Sequence, residues 1–205
     1  TPCIGLHSGW GKDTQAARNP EGNWLDFSGS FNPAGYCNEL WSTGLPPAYT
    51  ASHACVTTLA DEHVLALTDN QIRTVLSQGV YLDGPALARL NELGYQELTG
   101  FEVVDIRHED CIENLLDHPF NGAFSGRYRD GRQSFWPCPT YFFKPVSTEA
   151  QPLARCVDYA RNEIASCCMG VYENQTGGRI CVAGYFPWQQ LQTLSKATQM
   201  KRLMR

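Results

Sequence analysis

The chain has 205 residues, of which 42% are hydrophobic and 18% charged, with a net charge of −5 and a pI near 5.5. That length buries a sizeable core, as one large domain or a domain with a small subdomain, and the acidic balance excludes a nucleic-acid or anionic-membrane surface as the main partner. No apolar run approaches a membrane span and no signal-peptide pattern opens the sequence.

Taken in chain order, residues 3–7 are predicted to form a first strand. Residues 8–36 are loop-rich, carrying Gly9, Gly11, Pro20, Gly22, Gly29, Pro33 and Gly35, and suit a long excursion over a sheet. Residues 35–44 then suit a helix with Tyr36, Leu40 and Trp41 on its apolar side, and a second strand follows at 48–50.

Residues 65–100 are the most informative stretch. An apolar run at 64–67, expected as a strand, stops at Thr68, and Thr68 with Gln71 has the spacing of a capping box. Ile72, Val75 and Leu76 recur at the spacing of one buried helical face, and Gly79 falls where a left-handed C-terminal residue is wanted. A strand is predicted at 80–82. Asp83 then offers a helix cap and Pro85 a first-turn proline; Leu87 and Leu90 face the core, and Gly94 closes the helix. Alternating strands and helices predict a parallel sheet covered on both faces, with ligands expected beyond the carboxyl ends of its strands.

From Phe101 the periodicity shortens to alternating runs at 102–107, 134–136, 141–143, 154–159, 168–173 and 179–185, a β-rich extension with a hairpin loop at 174–178. Residues 174–176 also match a glycosylation sequon, but they coincide with that turn and modification is not expected. Residues 191–205 read as a helix that stops in mid-pattern, and Lys196, Lys201, Arg202 and Arg205 as its solvated face. Both ends look cut, so the chain is expected to be an excised domain of a longer polypeptide. The organisation expected is 1–100 as an α/β core, 101–190 as a β-rich extension packed on it, and 191–205 as a truncated terminal helix.

The segment LTDNQIRTVLSQ followed by GVYLDGPALARLNELG resembles the class I glutamine amidotransferase-like, flavodoxin-like domain near the C-terminus of large bacterial β-galactosidase-like proteins. GVYENQTGGRICVAGYFPW, residues 170–188, resembles the hairpin that ends such proteins, and the resemblance covers roughly the last two thirds of the chain. It implies a parallel sheet flanked by helices and a bacterial, cytoplasmic setting. True class I amidotransferases hold a cysteine in a tight strand-to-helix turn, where the strained elbow exposes the thiolate. This sequence has Tyr81, Leu82, Asp83 and Gly84 there, with no cysteine within twenty residues on either side. The covalent chemistry is therefore not carried over.

Candidate catalytic residues reduce to Asp83, His108 and Cys111. Asp83 is stronger as a cap than as a base, since Asp is favoured at that position. His108, Glu109, Asp110 and Glu113 suggest acid/base chemistry, but carboxylates leading into 111–116 are expected to mark an exposed helix start. The nine cysteines are odd in number and scattered, which fits reduced thiols packed as small apolar groups. His53 with Cys55, His108 with Cys111, and Cys167 with Cys168 could contribute metal ligands, yet no CxxC pair occurs and no metal or other cofactor is expected.

Phe120, Phe124, Tyr128, Phe135, Trp136, Tyr141, Phe142 and Phe143 form an aromatic group read mainly as core, with a sugar-stacking or interdomain surface as the sharper alternative. Tyr81, Trp136 and Tyr141 are its candidate ligand or interface residues. Two functions are weighed. The first is a non-catalytic accessory or assembly domain of a carbohydrate-active, glycoside hydrolase-like protein, whose partners are neighbouring domains, a second copy of the chain or a carbohydrate. The second is a small hydrolase or amidotransferase relative with relocated catalytic residues.

Overall fold

In the computed structural model, the described residues are 4–6, 47–48, 56–59, 64, 67–107, 112–130, 140–184 and 194–203. Helix α1 (Asp69–Gln78) starts where local chemistry dictates: the Thr68 side chain accepts from the Gln71 N–H, and the Gln71 side chain accepts from the Thr68 N–H. Leu67 and Ile72, which flank that cap at the positions of a hydrophobic staple, lie in and against one apolar cluster. Gly79 ends the helix at φ +103°, a conformation that favours glycine, with its N–H on Val75 O.

Strand β4 (Val80–Asp83) follows at once and is buried along its whole length. Helix α2 (Gly84–Glu92) starts on the Asp83 cap with proline in its first turn, and the short α3 (Gln96–Thr99) completes this part.

Of the strand expected at 64–67 the two described residues depart from it: Val64 is helical and Leu67 lies in a bend, joined by a Leu67 N–H to Val64 O bond. The cap at Thr68 fixes the chain direction there, and the preceding strand is β3 (Val56–Leu59). The other strands are β1 (Ile4–Leu6), β2 (Pro47–Ala48), β5 (Phe101–Arg107), β6 (Ile112–Leu115), β7 (Tyr128–Asp130), β8 (Thr140–Pro145), β9 (Gln151–Val157), β10 (Glu163–Glu173) and β11 (Arg179–Ala183). Helix α4 (Leu194–Leu203) is the last element among the described residues.

The architecture is α/β, with one mixed sheet of nine strands in the order β2-β1-β3-β4-β11-β10-β9-β6-β7. The pairs from β2 to β11 are parallel, as expected for the strands of the first hundred residues, and the rest, all within the β-rich part, are antiparallel, so the two parts share one mixed sheet. The sheet turns mixed because β11, the return strand of the β10–β11 hairpin, pairs in parallel with β4 and joins the two halves. Strands β5 and β8 form a separate antiparallel pair with a bulge between Val103 and Asp105. The Asn91 carboxamide bonds both Phe101 O and the Val103 N–H, and the Asp105 carboxylate accepts from the Ile106 N–H. Backbone groups of β5 that could template another strand are thereby satisfied.

Residues alternate cleanly between the two faces. Val80, Leu82, Ile180 and Val182 join the α1 and α2 side chains in one cluster, whereas Tyr81, Cys181, Ala183 and Met169 join Met200 and Leu203 of α4 in the other. The segment 111–116, expected as a helix start, contains β6. Ile112–Leu115 hydrogen-bonds β7 on one side and β9 on the other, and is buried throughout, so pairing with two strands overrides the local helix-start pattern. The helix expected at 35–44, the loop reading of 8–36 and the strand expected at 134–136 lie outside the described residues.

Candidate functional site

The turn from β4 into α2 passes from strand to helix with no intervening residue. Asp83 occupies it with only 2% of its surface exposed, and its Oδ1 accepts the Ala86 N–H at 2.8 Å. The carboxylate thus satisfies a donor at a helix start, where the peptide dipoles also favour negative charge.

Tyr141 of β8 closes the turn from outside. A Cβ built on Gly84 would lie 2.6 Å from Tyr141 Cγ and Cδ2, so only glycine allows this approach. The Tyr141 N–H donates to Gly184 O at 2.6 Å, and the Gly184 N–H donates to Cys168 O at 2.9 Å, which fixes β8 across the end of the β10–β11 hairpin.

Of the residues anticipated from sequence, Asp83 and Tyr141 both lie at this turn, Tyr141 against Gly84. Tyr81 lies two residues back along β4 on the α4 side of the sheet, fully buried. Burial pushes its phenol well above the ordinary tyrosine range, the Cys181 thiol adds to that, and the Arg129 charge opposes it. His108, Cys111 and Trp136 lie outside the described residues.

A second buried polar group joins residues that the sequence analysis assigned to separate exposed segments. Glu113 of β6 pairs with Arg129 of β7, both almost wholly buried, and Arg129 Nη1 donates to Ser195 Oγ at 3.2 Å. Lys196 of α4 is fully buried, which overturns its assignment to a solvated helix face. Its Nζ stands 3.7 Å from Glu113 Oε1, 3.3 Å from Met169 Sδ and 3.2 Å from Gln199 Oε1. Burial holds the amine well below the ordinary lysine range, the Arg129 charge pushes the same way, and Cys168 opposes. Gln199 Nε2 donates to Asn121 Oδ1 at 2.5 Å, and Asn121 Nδ2 donates to Leu116 O and Leu153 O. A signal was present: Lys196, Gln199, Met200 and Leu203 are spaced as one helical face, so the lysine shares the stripe of two apolar residues.

Cys156, Cys167, Cys168 and Cys181 are buried thiols outside any disulfide. No group of three or more metal-ligating side chains occurs among the described residues. Of the aromatic group, Phe142 and Phe143 are core residues, Phe120 and Phe124 pack against it half-buried, and Tyr128 is exposed. Arg161, at φ +71°, places its guanidinium 4.0 Å from the centre of the Tyr128 ring.

The sequon residue Asn174 is buried. Its Nδ2 donates to Leu76 O and Leu98 O, and its Oδ1 accepts from the Thr176 N–H, the Thr176 hydroxyl and the Gly178 N–H. It ties the hairpin to the ends of α1 and α3.

No protein-family model matches the chain, and no curated protein matches it in sequence. In structure it is similar to α-L-fucosidase isoenzyme 2 from Paenibacillus thiaminolyticus, with a TM-score of 0.56 and 11% identity, covering 100% of this chain and 32% of that one. It is similar also to the β-galactosidase from Rahnella sp. R3, with a TM-score of 0.54 and 11% identity over 98% of this chain and 31% of that one. A third similarity is to PurLQS from Thermotoga maritima, with a TM-score of 0.50 and 12% identity over 98% of this chain and 97% of that one. At these identities the likeness is one of fold. The chain spans about a third of the length of the fucosidase and the galactosidase.

Proposed function

We propose that this chain is a non-catalytic accessory or assembly domain of a larger carbohydrate-active protein, built on a flavodoxin-like sheet whose nucleophile elbow has become structural. The observation that carries the reading is the elbow itself. At the strand-to-helix turn where the resembling family needs an exposed thiolate, Asp83 is 2% exposed and bonded to the Ala86 N–H, and Tyr141 packs against the next residue, Gly84. A nucleophile must reach its substrate and expose an attacking lone pair; a buried cap does neither.

Two further observations support the reading. The parallel strands run β2-β1-β3-β4-β11, the order of a flavodoxin-like sheet. Two of the structural neighbours are glycoside hydrolases of which the chain matches about a third. The partners in this reading are other domains of the same polypeptide or a second copy, and the setting is the bacterial cytoplasm.

The test is to assay the purified chain, and the same chain carrying Asp83→Asn, for hydrolysis of glutamine and of aryl glycosides. Turnover at the buffer blank for both proteins is expected. Turnover by the parent chain that disappears in a folded Asp83→Asn protein would overturn the proposal.

A further inference from the structure

Residues 116–127 link β6 to β7, and Asn121 anchors that loop to the sheet and to α4. Its side chain is 1% exposed; Nδ2 donates to Leu116 O at 2.8 Å and to Leu153 O at 2.7 Å, and Oδ1 accepts from Gln199 Nε2. A carboxamide suits this place because one planar group supplies two donors and an acceptor. The next residue is constrained as well. Gly122 stands at φ +52°, a conformation that favours glycine, and a Cβ on it would displace the Arg202 guanidinium, which donates from α4 to Pro119 O and Phe120 O at 3.5 and 3.4 Å. The loop therefore selects asparagine followed by glycine, and 121–122 is the only such pair in the sequence.

That pair carries chemistry of its own. When the Gly122 nitrogen attacks Asn121 Cγ, a C–N bond forms and the Cγ–Nδ2 bond breaks. Ammonia leaves with the proton of the Gly122 nitrogen, and the backbone is left closed as a five-membered succinimide. Water then opens the ring at either carbonyl, to aspartate or to isoaspartate. Glycine favours the attack because it has no side chain to crowd the nitrogen. The folded loop opposes it from both ends. The carboxamide is turned to Leu116, Leu153 and Gln199, while the Gly122 N–H is donated to His118 O at 3.0 Å.

We propose that Asn121–Gly122 is a masked deamidation site, which reacts only when the 116–127 loop opens and thereby makes that opening permanent. Reaction requires Asn121 to leave its three partners, so its rate follows the population of the open loop. The product does not reseat. A carboxylate at this position turns oxygen lone pairs on Leu116 O and Leu153 O, where the amide had offered N–H groups. Isoaspartate also lengthens the main chain by one methylene at the entry to the Gly122–Phe124 turn.

The experiment follows conversion of residue 121 by peptide mass spectrometry in a mildly alkaline buffer, for the folded parent chain, the parent in urea and folded Arg202→Ala, whose loop has lost its tie to α4. In urea, residue 121 is expected to convert ahead of every other asparagine. In the folded parent it should convert at least about tenfold more slowly, with Arg202→Ala in between. Conversion in the folded parent as fast as in urea, or no faster in Arg202→Ala than in the parent, would overturn the masking. Permanence is read from hydrogen exchange of the loop amides in Asn121→Asp, or in aged parent chain separated by its added negative charge should that variant not fold. Loop protection is expected to fall while that of β10 is kept; loop protection equal to the parent's would overturn the proposal.

Discussion

The ring of Tyr141 lies against the backbone of Gly84 so closely that a Cβ added to the glycine would stand 2.6 Å from two ring carbons and 2.7 Å from Tyr141 Cβ. Gly84→Ala therefore forces β8 and the β4 elbow apart. A loss of about 1–3 kcal/mol is expected in urea denaturation, the usual magnitude for overpacking a fitted site. Combining it with Tyr141→Gly should give a double variant less unstable than the sum of the two single variants, since both act on one contact.

Asp83→Ala removes a helix cap and should cost about 0.5–2 kcal/mol, while Asp83→Asn keeps an acceptor oxygen and should cost less. Thermal unfolding of the two variants checks the order. A loss in Asn equal to that in Ala would mean that the negative charge, and not the hydrogen bond to Ala86, is what the turn requires.

Both features bear on what the sequence made legible. The Thr68–Gln71 box, the Asp83 cap and the faces of α1 and α2 were readable because each depends on residues within about two helical turns of each other. Strand β6 was misread because its pairing partners, β7 and β9, are remote while its carboxylates imitate a helix start. The site was half legible. Asp83 was found by its position after a strand, but the contact with Tyr141 comes from a strand in the other sheet, and Lys196 was grouped with Lys201 and Arg202 by charge when its spacing set it beside Met200 and Leu203.

Glu113→Gln should destabilise the protein strongly, by about 3–5 kcal/mol, because it takes the carboxylate from a buried guanidinium. Lys196→Met should be close to neutral at pH 7, since a flexible apolar side chain of similar length replaces an amine that burial already disfavours as a cation. Denaturant titration of both variants tests the contrast; equal losses would show Lys196 and Arg129 to depend on Glu113 alike.

Alkaline pH should weaken the fold. Burial pushes the Cys181 thiol up to about 12, with Glu173 adding to the shift and Arg179 opposing it, and burial also raises Cys167. The unfolded chain releases these protons near pH 8.5 while the folded chain keeps them, so the contribution is whole below that pH and lost as pH climbs toward about 12. Cys181→Ala should flatten this decline by up to about 1.4 kcal/mol per pH unit. Lys196 acts with the opposite sign, rewarding the folded state as pH rises, and is the same in both proteins. Comparing the two stability profiles between about pH 8.5 and about pH 11 isolates the thiol, and identical slopes would remove it as a cause.

Asn174→Ala deletes a carboxamide that joins Leu76 O, Leu98 O, Thr176 and Gly178 in one network. A cost of about 2–4 kcal/mol is expected, because buried carbonyls lose a donor and the hairpin loses its tie to α1 and α3. For the same reason the folded chain should leave a glycosylating host with its peptide mass unchanged at this sequon; a glycan on folded material, seen by mass spectrometry, would contradict the burial of Asn174.

The place of β11 also dictates when the molecule can become whole during synthesis. Val80 pairs with Ile180, one hundred residues on, and the same strand pairs on its other side with β10. Closing so long a loop is entropically slow. Until residue 183 leaves the ribosome, the nascent chain carries two raw edges, one along β4 and one along β10, and they are brought into one sheet by a single five-residue strand. That interval is when the polypeptide is most exposed to pairing with the wrong neighbour.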